Sequence, residues 1–106
     1  MKMSVEFKER QLLSTMLLHS DGVSRVMWEG VRSSHYSTAR HSLLHDAIVN
    51  LTIDTGGRID AVILSEFLTR SGQLEVVGGD EYLIEILETL PAWNNLAEVA
   101  ASVMRQ

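Results

Sequence analysis

His41 and His45 are the residues best spaced for chemistry in this 106-residue chain. Four apart on a helix, both imidazoles reach one face, and such a pair could share a zinc ion. The residues between them are Ser42, Leu43 and Leu44, so the glutamate that a zinc peptidase helix uses as its base is missing. Neither His19 nor His35 is placed by sequence to be a third ligand. The pair therefore reads as surface or partly packed, and no metal is expected. Glu75, Asp80, Glu81, Glu85 and Glu88 could supply paired carboxylates for acid–base work. Asp80 and Glu81, however, stand where negative charge suits a helix start. Glu81, Glu85 and Glu88 fall on a polar face opposite leucines. Gly78-Gly79-Asp80 is no phosphate cradle, because a P-loop needs Gly-Lys-Ser/Thr after its glycines. Gly-Lys occurs nowhere in the chain, and no Ser-His-Asp set sits on an elbow-type turn. No catalytic residue and no cofactor are expected.

What remains is recognition. Trp28 and Tyr82 are expected in the core. Trp93 lies in a Pro91-Ala92-Trp93-Asn94 turn between helices, where a large ring that stays partly exposed could anchor a partner. Folding back onto its own domain is the leading reading of that ring. Trp93, Asn94, Glu85, Glu88 and Tyr36 form the candidate partner-binding set.

The charge pattern narrows the kind of partner. Residues 1–40 hold six Lys/Arg against four acids, residues 41–74 two against four, and residues 75–106 one against six. A nucleic-acid binder needs a basic stripe to release counterions, and none is present. The acidic last third suits a basic protein partner, and equally a solvated helical surface. With 45% hydrophobic and 22% charged residues, the composition is that of a globular domain and not of a disordered chain. The absence of cysteine rules out disulfides and thiolate ligands; it suits a reducing compartment, and a cytoplasmic location is expected. No run approaches a membrane span, and the first residues do not read as a secretory signal.

The elements that position these residues are all helical. Ser4 can cap a helix from about Val5 to His19, with Leu12, Leu13, Met16 and Leu17 on one face. Asp21 is expected to cap a shorter helix carrying Val23, Val26, Met27 and Val31. A polar loop over residues 32–37 leads to a long helix, capped at Ser37 or Thr38, with Leu44, Ala47, Ile48 and Leu51 as its stripe and Gly56-Gly57 as its stop. Asp60 opens a helix burying Ile63, Leu64, Phe67 and Leu68, and Gly72 ends it. Leu74, Val76 and Val77 predict a single turn of helix that plugs the core. Tyr82, Leu83, Ile86, Leu87 and Leu90 then face inward until Pro91 stops the helix. Asn95 and Glu98 have capping-box spacing before Leu96, Val99, Ala100, Val103 and Met104. The expectation is an all-α single domain over residues 1–106, a compact bundle of about six helices.

The order of these signals resembles one family. Ile59-Asp60, Gly72-Gln73-Leu74, Gly78-Gly79, Tyr82-Leu83, Pro91 and Asn95 are similar in order and spacing to the N-terminal domain of DnaB-like replicative DNA helicases. Arg40-His41 matches a basic or histidine position of the family, and Ser34-His35-Tyr36 stands at its acidic–aromatic stretch. Leu13-Ser14 replaces a usual Leu-Gly pair, and Trp93 replaces a small residue. The resemblance implies a helical head in front of a RecA-like motor. In that setting heads and a following hairpin pair into a collar that receives primase and, in some systems, a loader. The implied partners are therefore a primase C-terminal domain, a helicase loader or helicase subunits, with no DNA bound directly and no membrane. Two further readings stay open: a free-standing phage or mobile-element regulator of the same fold, and the helicase-binding domain of a primase. The chain is expected to end where hairpin and motor would begin, and to be a monomer or weak homodimer.

Overall fold

Every residue from Gln11 to Leu17 is buried, which places the middle of the first helix, α1 (Val5–Leu18), inside the domain on all sides. A helix covered all round needs neighbours all round, and α1 packs against four others: α2 (Gly22–Trp28), α3 (Ala39–Thr55), α6 (Gly79–Glu88) and α7 (Leu96–Met104). Two more, α4 (Ala61–Arg70) and the single turn α5 (Leu74–Val77), pack on α3 and α6. A 3-10 turn at Ser33–His35 leads into α3. This is a computed structural model that describes residues 4–106; Met1 to Met3, part of the stretch read above as lacking a signal core, lie outside it. Among the described residues the protein is all-α, with seven helices and no strand. Six match the expected helices, and α5 is the expected turn. Val77 of that turn is fully buried and Val76 is exposed.

Polar residues on the buried side of α1 hold the chain between α6 and α7 in place. Ser14 Oγ donates to the Thr89 carbonyl at 2.8 Å. Thr15 Oγ1 donates to the Gln11 carbonyl and accepts from the Ala92 N–H at 2.9 Å. Each buried hydroxyl is thus satisfied, as burial requires. The crossing of α1 and α2 is equally close: a Cβ on Gly22 would lie 2.0 Å from the Thr15 carbonyl oxygen, so the first residue of α2 has no room for a side chain.

Helix starts divide by backbone conformation. Ser4, Thr38 and Asp60 have ψ of 157°, 147° and 179°, and each side chain accepts from the N–H three residues on. Asp21 and Asn95 have ψ of 18° and 30°, and neither makes a capping bond. The extended conformation swings a capping oxygen over the first turn; the turned one does not. The expected Asp21 cap and the Asn95–Glu98 capping box are therefore absent.

Two apolar expectations are also corrected. Trp28 is 85% exposed rather than in the core, because it lies roughly opposite Val23 and Val26 at about 100° per residue. Leu90 is exposed because α6 ends at Glu88 and Thr89 is already extended, two residues before Pro91.

Candidate protein interface and the buried polar network

α1, α3 and α6 each bring one polar side chain to a common point inside the bundle. Glu9 and His41 are both 0% exposed and Tyr82 is 6% exposed. His41 Nδ1 lies 2.6 Å from Glu9 Oε1 and His41 Nε2 lies 2.5 Å from Tyr82 Oη. The other Glu9 oxygen accepts from the Ser37 N–H and from Gln106 Nε2, both at 2.7 Å. Arg40 stacks over the Tyr82 ring, 3.7 Å from its centroid. Gly78 covers the same tyrosine with φ of +107°; a Cβ there would fall 2.8 Å from Tyr82 Cβ.

Burial raises the Glu9 pKa, but bonds from Gln106, His41 and Ser37 together outweigh it and hold the carboxyl below its ordinary value. Burial pushes the His41 pKa down, against the pull of Glu9. The consistent state is a carboxylate beside a neutral imidazole. Nδ1–H then donates to Glu9, and Nε2 accepts from the Tyr82 hydroxyl. Burial raises the Tyr82 pKa and so keeps that hydroxyl protonated. A carboxylate orienting a histidine is the arrangement of a general base, yet here both imidazole nitrogens are already bonded inside the core.

The expectation of a surface or partly packed histidine pair is corrected accordingly. His45 is 3% exposed and meets the Tyr36 hydroxyl at 2.9 Å through Nδ1, and burial lowers its pKa too. His41 and His45 thus point their nitrogens at different tyrosines. Among the described residues no group of three or more His, Asp, Glu or Cys could hold a metal ion.

Tyr36 also leaves the partner-binding set. It is 7% exposed and its hydroxyl is used by His45, so its ring belongs to the core. The other four candidates remain at the surface. Glu85 and Glu88 lie on the exposed face of α6, and Asn94 is exposed in the following turn. Trp93 folds back onto its own domain, the leading reading. Its ring stacks on His19 at 4.0 Å, with the Arg25 guanidinium 5.1 Å from its centroid, and it stays partly exposed. Trp93 follows Glu88 by five positions along the chain.

Glu9 is the residue that sequence reasoning missed, although a signal existed. It precedes Leu12, Leu13 and Met16 by three, four and seven positions, so it sits on the apolar stripe of α1. An acid on such a stripe is buried and needs a partner. His41 stands in the same relation to Leu44, His45 and Ile48.

Comparison with known proteins follows the helical pattern closely. Residues 3–105 match the family described as DnaB-like helicase N terminal domain. The chain is 33% identical over 87 residues to the replicative DNA helicase DnaB of Leifsonia xyli subsp. xyli, an alignment covering 82% of this chain and 19% of that protein. It is 34% identical over 95 residues to the replicative DNA helicase DnaB of Mycobacterium leprae, covering 90% of this chain and 15% of that protein. The crystal structure of the N-terminal domain of DnaB helicase from Mycobacterium tuberculosis superposes with a TM-score of 0.82 at 29% identity, covering 94% of this chain and 68% of that one. The chain thus spans less than a fifth of either full-length helicase. No described helix is long and apolar enough to cross a membrane.

Proposed function

The chain belongs to the DnaB-like helicase N-terminal domain family, and from that premise we propose that it is a protein-docking module of DNA replication. Its role is to receive a primase C-terminal domain or a helicase loader and to support assembly of helicase subunits, with no chemistry of its own. The observation that carries this reading is the outer surface of α6. That helix has four acids, Asp80, Glu81, Glu85 and Glu88, and no Lys or Arg. Its inner face is committed to the core through Tyr82, Leu83 and Ile86. A one-signed exposed face of this kind steers an oppositely charged protein and opposes nucleic acid. The partly exposed Trp93 and the adjoining Asn94 offer an anchor beyond the end of the helix. By itself the domain is a monomer or weak homodimer.

Titration calorimetry with the cognate primase C-terminal domain and loader tests this. Binding of at least one, weakened by the Glu85→Lys/Glu88→Lys double variant and by added salt, is the expected result. Neither heat nor co-elution with either partner overturns the reading. The purified domain is also expected to hydrolyse no ATP, and measurable turnover would refute the absence of chemistry.

A further inference from the structure

A groove of about 310 Å³ runs between α4 and α6. Leu83, 2% exposed, forms its floor; Ala61 and Val62 come from α4, Ile84 and Leu87 from α6. Val62 is 65% exposed and Ile84 53%, and both line this groove. Their exposure is concentrated on one feature. Asp80, Leu83, Ile84 and Leu87 stand at i, i+3, i+4 and i+7, so a full stripe of α6 borders the groove. Ser65 Oγ donates to Asp80 Oδ1 at 2.5 Å and ties the two helices together across it.

The charge lining this groove has one sign. Glu66 and Asp80 are its charged lining residues and no Lys or Arg lines it. Glu81, Glu85 and Glu88 extend the same sign along α6. A second copy of the chain docking here about a two-fold axis would set Glu66 and Asp80 against themselves, and like charges across an interface are costly. The complementary occupant is an apolar ridge flanked by cations, and two helices side by side form a seat for a third.

We propose that the α4–α6 groove receives one basic amphipathic helix of a partner protein. Its aliphatic side chains rest on Leu83 between Val62 and Ile84, and its Lys or Arg residues face Glu66, Asp80 and the α6 acids. The proposal rests on the docking reading and assigns it a surface and a partner chemistry.

Two synthetic helical peptides test it, identical at their apolar positions and carrying lysine or glutamate at the others. Titrated into the isotope-labelled domain, the lysine peptide is expected to shift the amide signals of Val62, Ser65, Leu83, Ile84 and Leu87 saturably, and the glutamate peptide to leave them unchanged. Ile84→Lys, a substitution at an exposed position, should weaken the lysine peptide about tenfold, as loss of a central contact does, with helical circular dichroism unaltered. Equal binding of both peptides, equal binding to the variant, shifts confined to another face, or self-association through these residues would each overturn the proposal. A primase or loader domain that binds wild type and Ile84→Lys alike refutes the groove and preserves docking. A lysine peptide that fills the groove while both domains fail to bind refutes docking and preserves the groove.

Discussion

His41 Nδ1 and Glu9 Oε1 meet 2.6 Å apart, with neither side chain exposed to solvent. The two residues are 32 positions apart, on helices that otherwise bury Leu12, Leu13, Met16 and Leu17 from α1 and Leu44, Ala47, Ile48 and Leu51 from α3 alongside a few further polar residues. Their contact therefore decides more about the register of α1 on α3 than any aliphatic pair between them. A leucine tolerates a small slide; a carboxylate that must accept from His41, the Ser37 N–H and Gln106 does not.

Glu9→Gln should destabilise the domain by about 1.5–3 kcal/mol, the range for hydrogen bonds to a charged group. The amide would place N–H donors where donors already point. Urea unfolding measures this, and a loss below about 0.5 kcal/mol, the size of an ordinary surface substitution, would contradict it. Replacing Glu9 and His41 together by leucine should cost less than the two single leucine replacements added together, because neither member of the pair is left without the other, while the Ser37 N–H and the Tyr82 hydroxyl lose their acceptors.

Acid should unfold the domain earlier than its surface carboxylates require. Burial holds His41 and His45 below the ordinary value of 6.5, so below that value the unfolded chain binds protons that the folded one refuses. Stability must then fall with pH, by about 1.4 kcal/mol per pH unit for each histidine, starting near 6.5 and continuing down to the folded values. Glu9, held below 4.5, adds stability that is present above that value and lost as pH falls through its folded one. Urea midpoints across this range provide the measurement. A flat profile from neutrality to well below 6.5 would rule out neutral buried histidines.

Gly22→Ala should cost about 1–3 kcal/mol, the usual penalty of overpacking, because the new methyl group meets the Thr15 carbonyl. Thermal unfolding would show it as a lowered Tm. An unchanged Tm would mean that α2 does not cross α1 this closely.

Caps offer a cleaner contrast. Asp60→Ala should cost about 1 kcal/mol, since Asp60 accepts from the Ile63 N–H at 2.9 Å. Asn95→Ala should cost little, because its side chain makes no capping bond. Equal losses at the two positions would contradict the division of helix starts by ψ.

Much of the fold was legible in the sequence because helical faces and stop residues act locally. Leu44, Ile48 and Leu51, or Leu64 and Leu68, announce a buried stripe wherever the helix goes. Gly56 and Gly78 announce stops that only a positive φ satisfies. Failures arose where a decision is not local. Asp21 and Asn95 have capping chemistry, but the turns that precede them set ψ, and the spacing of side chains does not report it. Trp28 was assigned by residue type when its angle on α2 placed it outward. Histidine four residues from histidine suggested a shared face, whereas the tyrosines that claim His41 and His45 come from α6 and from the loop before α3. Of the candidate site, the acids of α6 and Trp93 were readable. The groove beside them was not, since Val62 and Ile84 become neighbours only once α4 and α6 pack.

The central position of α1 also has a bearing on how the chain acquires its structure. Lys8 bonds Ser102, Gln11 bonds the Leu90 carbonyl and Ser14 bonds the Thr89 carbonyl, across 94, 79 and 75 residues. Contacts of such range slow folding relative to an up-and-down bundle of the same helix content. During synthesis Leu12, Leu13 and Met16 must wait for partners in α6 and α7, which follow the rest of the bundle out of the ribosome, so the nascent chain displays an uncovered apolar helix of the sort that chaperones hold. Of the seven described helices, the first in chain order is the last to be covered.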